Sequence, residues 1–384
     1  MTNADRQHTN LTRSALRIQP PPSPKHTAKL TDSDADPRAA GPVPDLPQLH
    51  KSTKVEFAPT PETTAAPVET QSHLGTPPAL PRRPTTADML SGVDLTGRRA
   101  LITGASSGLG EEIARALTSA GAEVTLAVRN ADRGAAAANR IAGSTGRTRP
   151  AVLELDLLTP ASITAAVTAW SGPLHILVAN AGIMVPPLER TAEGWESQFM
   201  TNYLAHFALI TGLLPALVAA EDARVVLASS NAHLLGPVDV DALTDQSKSY
   251  EPWSAYAISK TALILFAVEA NRRWAEAGVT VSAYNPGYIR TGLQKNLPAD
   301  LQVSTAGLKT LEQGAATPVS LAATPAGAAA GGKYFEDMVE APVAVNEERD
   351  MSRPETFRGV ATFALDEKTA AELWTFSQTA TRHW

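Results

Sequence analysis

From residue 94 onward the sequence is built from short apolar runs that are separated by helix-like segments. Few of these runs alternate apolar with polar residues, which is the pattern of strands buried on both faces of a sheet. Strands of this kind are parallel, and the segments between them supply right-handed helical crossovers. The pattern predicts the α/β class with one doubly wound parallel sheet. The six runs are RALITG (99–104), EVTLAV (123–128), AVLELD (151–156), LHILVAN (174–180), RVVLASS (224–230) and VTVSAY (279–284).

Residues 1–88 differ in composition from the rest of the chain. They contain about half of its 29 prolines, mixed with Thr, Ser, Ala and scattered charges, and they show no sustained apolar period. Such a segment buries too little apolar surface to offset the entropy cost of ordering it. The sequence therefore predicts a disordered, Pro-rich extension over 1–88 and a single folded domain over 89–384.

Charge and hydropathy limit the kinds of partner. The formal net charge is -6, which gives no electrostatic reason to expect nucleic acid or an anionic membrane as a partner. The most apolar long stretch, 206–220, is shorter than the ~20 residues that span a bilayer, and it contains Pro215. We expect a buried helix there, no membrane contact and a small-molecule ligand.

The chain contains no cysteine. Disulfides, thiolate zinc sites and cysteine nucleophiles are therefore excluded. The sequence also has no histidine pair and no H-E-x-x-H motif, so we expect no catalytic metal. These features fit a cytoplasmic enzyme whose chemistry depends on other side chains.

The segment LITGASSGLGEEIA (101–114) has two interpretations. The stretch Gly104 to Gly108 fits G-x-S-x-G, the strand-to-helix elbow that would make Ser106 the nucleophile of an α/β-hydrolase. That elbow requires strands and an oxyanion loop upstream, with an acid and then a histidine downstream. Only the Pro-rich segment precedes it, and the only late histidine is His383. This context disfavours a serine hydrolase but leaves it as an alternative.

The second interpretation is a phosphate cradle. Gly104, Gly108 and Gly110 stand between an apolar strand and a helix, where glycines allow main-chain N–H groups to approach a dinucleotide diphosphate. The loop, the first helix and the second strand together have the length of a βαβ unit. This arrangement is typical of a Rossmann-like dinucleotide-binding fold.

The order of several motifs carries a family resemblance. Thr103-Gly104 with Gly108 and Gly110 resembles the T-G-x-x-x-G-x-G turn of short-chain dehydrogenases/reductases. The later markers of that family follow in order: Asn180, Ala181 and Gly182 in NAG, Asn202 in TNYLAHF, Ser230 in VVLASS, Tyr256 and Lys260 in YAISK, and NPG at 285–287. Two further stretches, GGKYFED (331–337) and AELWTFS (371–377), resemble the retinol-dehydrogenase-like branch. Each motif alone is weak, but together and in family order they make a chance match very improbable.

The resemblance implies an enzyme that interconverts an alcohol with a ketone or aldehyde. Tyr256 and Lys260 are four residues apart, so on a helix they share one face. By resemblance, Tyr256 exchanges a proton with the substrate oxygen, and Lys260 also binds the nicotinamide ribose. Ser230 would hold that oxygen, and Asn202 would support the proton relay. An ordinary tyrosine has a pKa of about 10, so we expect Lys260 and an oxidised nicotinamide to lower it.

The end of the second strand bears on the choice of cofactor. An acid there would bind the ribose hydroxyls of NAD, whereas an arginine suits the 2′-phosphate of NADP. Val128 is followed by Arg129, which in this family marks a preference for NADP(H), with NAD as the alternative. By resemblance, the complete set of cofactor contacts is Gly104, Ser106, Ser107, Gly108, Leu109, Gly110, Arg129, Asp156, Leu157, Asn180, Ala181, Gly182, Tyr256, Lys260, Pro286, Gly287, Ile289 and Thr291.

Two segments are predicted to surround the substrate. The long interval 231–253 between Ser230 and Tyr256 is interpreted as the rim of the substrate site, with His233 as a surface residue. The segment 288–313 mixes apolar residues with Gly and Pro, which predicts a mobile lid and a small, mostly apolar substrate. The resemblance also implies a helical face for a homo-oligomer. A redox sensor that binds cofactor without turnover stays as the alternative to an enzyme.

Overall fold

One sheet organises the computed structural model, which describes residues 82–247, 249–296, 308–344 and 357–384. Its strand order is β3-β2-β1-β4-β5-β6-β7-β8, with β1 to β7 parallel and β8 antiparallel to β7. The prediction of an α/β, doubly wound parallel sheet is confirmed. The strands are β1 Arg99–Thr103, β2 Glu123–Val128, β3 Ala151–Glu154, β4 Ile176–Ala179, β5 Ala223–Ala228, β6 Val279–Asn285, β7 Tyr334–Glu336 and β8 Val339–Glu340.

Helices cover both faces of this sheet. Helices α2, α3 and α9 pack on one face, and α4, α6, α8 and α11 pack on the other. The helices are α1 Thr86–Met89, α2 Gly108–Ser119, α3 Ala131–Thr145, α4 Pro160–Ala169, α5 Ser197–Phe199, α6 Ala205–Gly212, α7 Leu214–Val218, α8 Pro252–Trp274, α9 Leu311–Ala323, α10 Pro325–Ala328 and α11 Glu367–Ala380.

Strand β1 shows why the apolar runs do not alternate. Its Leu101 side chain enters the core on the α8 face, while Ala100 and Ile102 enter the core on the α2 face. All three are fully buried. Since successive side chains of a strand point to opposite faces, burial of both faces requires apolar residues at every position.

The strand order reverses between β1 and β4. The chain moves outward from β1 through β2 to β3 and then returns to the other side of β1. Connections on opposite faces leave a crevice at the carboxyl ends of these two strands, which is where open α/β sheets bind ligands. The cradle motif and the NAG motif follow these two strands directly.

Two elements differ from the sequence prediction. The stretch 206–220 is not one helix: α6 ends at Gly212 and α7 begins at Leu214, because Pro215 has no N–H to continue the hydrogen bonds of α6. The sheet also extends beyond the six predicted strands through β7 and β8. These have three and two residues, too few to show a periodic pattern.

The start of the described chain packs on the domain. The Thr86 hydroxyl in α1 donates a buried hydrogen bond of 2.7 Å to Glu112 in α2. The predicted boundary between 88 and 89 remains a prediction, and the disorder expected for 1–88 falls mainly on 1–81, outside the described residues. No helix in the described ranges is long and apolar enough to cross a membrane.

The last helix, α11, covers part of α8. Trp374 stacks on Phe266 with ring centroids 5.6 Å apart, and the Arg273 guanidinium lies 4.6 Å from the Trp374 ring centroid. This aromatic contact joins the end of the chain to the helix that carries Tyr256 and Lys260. The stretch 371–377, noted for its family resemblance, therefore belongs to the core of the fold.

Candidate active site

The glycine-rich turn after β1 packs against the NAG motif after β4. Gly104 has φ +69°, and a Cβ there would lie 2.9 Å from the Ala181 Cα. A Cβ on Gly110 would lie 2.6 Å from the Asn180 Nδ2. Neither position has room for a side chain, so close approach requires glycine at both, and backbone conformation also requires it at Gly104.

The Thr103 side chain joins the two strand ends. Its hydroxyl accepts hydrogen bonds from the N–H groups of Asn180 and Ala181, at 3.0 Å and 2.9 Å. The Asn180 Nδ2 in turn donates to the Thr103 carbonyl at 3.0 Å. These bonds hold the turn and the NAG motif in one rigid arrangement.

Main-chain atoms therefore line the crevice between the ends of β1 and β4. A Cβ on Gly108 would face Thr291 at 3.8 Å, so the NPG side of the site closes this crevice opposite α2. We call the turn Gly104–Gly110, the NAG motif Asn180–Gly182 and Thr291 the cofactor cradle. A bound diphosphate requires main chain that side chains do not cover and the N-terminus of a helix. The glycines of the turn and the start of α2 provide both, so the residues present fit a dinucleotide.

The other predicted cofactor residues lie around this cradle in different environments. Arg129 follows β2 and is exposed, with no ion pair or side-chain hydrogen bond to the described residues. The Asp156 carboxylate accepts a hydrogen bond from the Leu158 N–H at 3.0 Å. The Leu157 side chain points into the apolar core, so only its main chain is available to a ligand.

The remaining positions complete the two turns. Ser107 is exposed, whereas Ser106 and Leu109 are half-buried. In the NPG turn, Gly287 has φ +81° and its N–H donates to the Asn285 side chain at 3.1 Å. Both turns present main chain rather than large side chains.

Tyr256 and Lys260 lie side by side on α8. The Lys260 Nζ is 5.5 Å from the centroid of the Tyr256 ring and donates to the Ala228 carbonyl at 2.6 Å. Both side chains are 4% exposed. The helical pair predicted from the spacing is therefore present, at the carboxyl end of β5.

Burial dominates the acid–base properties of this pair. It raises the pKa of Tyr256 to about 12, while a hydrogen bond with the Ser230 side chain acts in the opposite direction. Burial lowers the pKa of Lys260 to about 7, because the charged ammonium is removed from water. The expected lowering of the Tyr256 pKa requires an oxidised nicotinamide together with Lys260, so it stays a prediction.

Ser230 follows β5 and faces Tyr256. Its hydroxyl also accepts a hydrogen bond from the Ala232 N–H at 3.1 Å. The Ser230 carbonyl binds the Nδ1 of His233 at 2.6 Å, and the His233 Nε2 accepts from the Ala361 N–H at 3.2 Å. The prediction that His233 is a surface residue is wrong: it is fully buried and connects the serine backbone to the C-terminal region.

Asn202 lies in the π-helical turn Met200–Leu204, which precedes α6. Its Oδ1 accepts from the Ile183 N–H at 2.8 Å, and its Nδ2 donates to the Ile183 carbonyl and to the Ser259 hydroxyl, both at 3.0 Å. The side chain is thus committed to neighbouring segments, so its main-chain carbonyl is the group of Asn202 open to a relay. Wide helical turns of this kind are frequent at functional sites.

Gly182 separates Asn202 from Lys260. A Cβ at this glycine would lie 3.0 Å from the Asn202 Oδ1 and 3.6 Å from the Lys260 Nζ. The structure therefore brings the cofactor cradle, Asn202 and Lys260 to one place. Together with Tyr256, these residues form a single contiguous site.

An apolar surface borders the Tyr256 ring. Its members are Met184, Val185, Ala232, Trp253 and Leu293, and we call them the apolar wall. The Trp253 ring meets the Tyr256 ring edge to face, with centroids 6.4 Å apart. This wall agrees with the predicted rim, since Ala232 and Trp253 lie near the two ends of the segment 231–253.

Val185 holds an unusual backbone conformation in this wall. Its φ of +45° is costly for a β-branched residue. Its N–H donates to the Gln198 Oε1 at 2.9 Å, and the Gln198 Nε2 donates to the Tyr250 hydroxyl and the Pro252 carbonyl, both at 2.9 Å. Gln198 is fully buried and joins its own segment to the two that contain Val185 and Trp253.

The base of the predicted lid is attached to the NPG turn. Lys309 donates from Nζ to the Pro286 carbonyl at 3.0 Å and pairs with Asp337 at 2.6 Å. Within the segment 288–313, residues 297–307 lie outside the described residues. The mobility of the lid remains a prediction.

Sequence reasoning missed two residues of this site, Gln198 and His206, and it placed His233 wrongly. Only His206 carried a usable signal, because it stands four residues after Asn202 on a helical segment. The hydrolase interpretation gains no support from the buried histidines. Both nitrogens of His206 and of His233 are bonded to other partners, so neither can act as a base for Ser106.

Known proteins resemble this chain along most of the domain. The short chain dehydrogenase family model matches residues 98–302. A "Probable oxidoreductase" of Streptomyces antibioticus is 46% identical over 303 residues, which cover 76% of this chain and 99% of that protein. Retinol dehydrogenase 12 of Homo sapiens is 38% identical over 251 residues, which cover 64% of this chain and 79% of that protein.

A solved structure agrees with these sequence matches. The Pseudomonas aeruginosa RhlG/NADP active-site complex has a TM-score of 0.52 and 28% sequence identity, and it covers 63% of this chain and 95% of that chain. The resemblance inferred from the motifs is confirmed, including the retinol-dehydrogenase-like relatives. The chain belongs to the short-chain dehydrogenase/reductase family and is an NAD(P)-dependent oxidoreductase that acts on CH–OH groups.

Proposed function

We propose that this oxidoreductase prefers NADP(H) and interconverts an apolar alcohol with its ketone or aldehyde, using Tyr256, Ser230, Lys260 and Asn202. One observation carries the proposal: a buried phenol stands between the cofactor cradle and the apolar wall, with the Ser230 side chain near enough to oppose the rise in its pKa. A carbonyl oxygen at this point would meet both hydroxyls, while its carbon substituents would meet apolar side chains.

The cofactor cradle would hold the diphosphate through main-chain N–H groups at the start of α2. Ile289 and Thr291 would contact the nicotinamide carboxamide and the phosphates, and Lys260 would bind the ribose. When bound, the nicotinamide supplies or accepts the hydride. The residues of the protein align the substrate carbon and transfer one proton.

Tyr256 is the residue that donates or accepts that proton. A phenol whose pKa is about 12 keeps its proton at neutral pH, so it donates to the substrate oxygen during reduction. Ser230 holds the same oxygen and stabilises the phenolate that the transfer leaves behind. In the direction of oxidation, the positive charges of Lys260 and of an oxidised nicotinamide would lower the pKa of the phenol.

The carbonyl of Asn202 is proposed to hold a water molecule by a hydrogen bond, and this water would take the proton from the Lys260 ammonium. Gly182 lies beside both residues and has no side chain to block such a water. A proton leaving Lys260 would reach solvent along this route. The side chain of Asn202 contributes by fixing the loop after the NAG motif.

The proposed preference for NADP(H) depends on the end of β2. Val128 is buried there and supplies no carboxylate for a ribose hydroxyl. Arg129 is exposed, and an arginine at this position suits a 2′-phosphate. The bound NADP of the related Pseudomonas aeruginosa complex supports the same choice.

The test is turnover of a graded panel of aldehydes and ketones with NADPH and with NADH, followed by the absorbance of the reduced nicotinamide. We expect NADPH-dependent reduction whose kcat/KM rises with the apolar area of the substrate. Tight cofactor binding without turnover of any carbonyl would instead favour the redox sensor. Covalent labelling of Ser106 by an organophosphonate would favour the hydrolase.

A further inference from the structure

We propose that His206 is a positioning residue whose ring connects the cofactor cradle to the Asn202 carbonyl. The inference rests on the proposed function, because it assigns Asn202 to the relay. The His206 ring is 1% exposed, and it contacts both Thr103 and Asn202. The Nε2 lies 2.9 Å from the Thr103 hydroxyl, and the Nδ1 lies 2.9 Å from the Asn202 carbonyl.

The hydrogen bonds of Thr103 determine where the ring proton lies. A hydroxyl has two acceptor sites and one proton. The N–H groups of Asn180 and Ala181 occupy both acceptor sites of Thr103. The hydroxyl proton must therefore point at the His206 Nε2, which accepts it. The ring proton is then on Nδ1, and it is donated to Asn202.

A protonated ring would not satisfy this arrangement. It would direct a third donor at a hydroxyl that has no acceptor site left. Burial and the nearby Lys260 lower the pKa of His206 to about 4, so the ring is neutral at neutral pH. With one donor and one acceptor, both used, the neutral ring cannot itself transfer a proton. His206 thus acts through its neighbours.

The two bonds of the ring lead to different consequences. Through Thr103 the ring supports the NAG motif and thereby cofactor affinity. Through its bond to the Asn202 carbonyl it sets the direction of the group proposed to hold the relay water, and thereby turnover. A substitution that keeps one bond and removes the other should therefore separate these two properties.

Replacing His206 by asparagine or by glutamine provides that separation. In His206→Asn, the short amide reaches the position of Nδ1 and still donates to the Asn202 carbonyl, but it no longer meets Thr103. In His206→Gln, the longer amide reaches the position of Nε2 and accepts from Thr103, but it leaves the Asn202 carbonyl. Loss of one buried hydrogen bond corresponds to about tenfold in the affected constant.

We expect His206→Asn to raise the Kd for NADPH about tenfold with kcat nearly unchanged, and His206→Gln to lower kcat about tenfold with Kd nearly unchanged. His175→Asn is the matched control. This half-buried histidine accepts from the Arg99 N–H at the start of β1, far along the strand from Thr103, so neither constant should change. Equal losses of both constants in both amide variants would overturn the proposal.

Two measurements remain decisive if His206→Gln folds poorly or the wild type reduces no carbonyl. Nitrogen-15 NMR of the histidine rings, assigned by the signal missing in His206→Asn, should show the Nδ1–H tautomer. An Nε2–H tautomer would overturn the inference. Thr103→Val should raise the NADPH Kd without adding to the effect of His206→Asn, whereas additive losses would contradict the shared bond. Absence of turnover alone would count against the proposed function and not against this bond.

Discussion

The cofactor cradle and the apolar wall meet at Tyr256, but they are built by different means. The cradle consists of main chain and glycines that approach one another too closely for any side chain. The wall consists of side chains from four separate segments, held by the buried amide of Gln198. Changes in the cradle should therefore affect every reaction of the enzyme, whereas changes in the wall should affect the choice of substrate.

The largest effect is expected at Tyr256, where the cofactor cradle and the apolar wall meet. Tyr256→Phe removes the proton donor but keeps the ring that packs on the wall. Turnover should fall about a hundredfold or more, the usual scale of general acid–base loss, while the Kd for NADPH stays nearly constant. Steady-state kinetics and cofactor binding measure the two quantities, and unchanged turnover would contradict the proposed mechanism.

The next largest effect is expected in the cradle. Gly110→Ala would place a Cβ 2.6 Å from both the Asn180 Nδ2 and the Gly104 carbonyl. Overpacking of this kind costs ~1–3 kcal/mol, so NADPH affinity should fall about tenfold to a hundredfold for every substrate, and the melting temperature should fall too.

Gly143→Ala in α3 is the matched control for that change. A Cβ at Gly143 would meet nothing within 4 Å. This variant should keep its cofactor affinity and gain up to ~1 kcal/mol of stability, because alanine is the better helix former. Equal binding losses in Gly110→Ala and Gly143→Ala would show that the cradle is not built by close approach.

Arg129→Ala tests the adenine end of the cradle. A charge-assisted hydrogen bond to a 2′-phosphate is worth roughly 1.5–3 kcal/mol, so the KM for NADPH should rise at least tenfold. The KM for NADH should stay nearly constant, and the loss with NADPH should be smaller at high salt, where the pair is already screened. Equal losses with both cofactors would remove the support for the NADP preference.

A smaller effect is expected in the wall. Trp253→Ala removes part of the apolar contact beside Tyr256, and losing part of a buried aromatic costs ~1–2 kcal/mol. The KM should rise several-fold for large apolar carbonyls and little for small ones, while the Kd for NADPH does not change. A uniform loss for all substrates would indicate that Trp253 supports α8 rather than the substrate.

A separate effect, at the junction of the two regions, is a dependence of stability on pH. The pKa of Lys260 is lowered to about 7 in the folded protein, so between about pH 7 and pH 10 the unfolded chain binds more protons. Stability linked to Lys260 therefore rises with pH across this window. The difference in melting temperature between the wild type and Lys260→Met should shift in favour of the wild type as pH rises. No shift would mean that the ammonium is not desolvated.

Local patterns in the sequence determined the fold class, the positions of β1 to β6 in the chain, and the positions of the glycine-rich turn and the Tyr256–Lys260 pair. Buried strands require continuous apolar runs, and a helix places residues four apart on one face, so both features are written in short stretches of chain. The three-residue strand β7 escaped prediction because its pairing depends on β6, which lies about fifty residues earlier.

Tertiary structure decided the environments of the side chains that do chemistry. The sequence predicts that His233 is a residue of a surface loop. In the folded chain it is fully buried, and the Ala361 N–H donates to its Nε2. The pKa of Tyr256 is raised to about 12 in the folded protein, because burial removes the phenol from water. The residues that bury these side chains and bond to them come from segments far apart in the chain. No local sequence pattern predicts which of these segments come into contact. The sequence by itself determined which residue types stand at the site, and only the folded chain determined their protonation, orientation and partners.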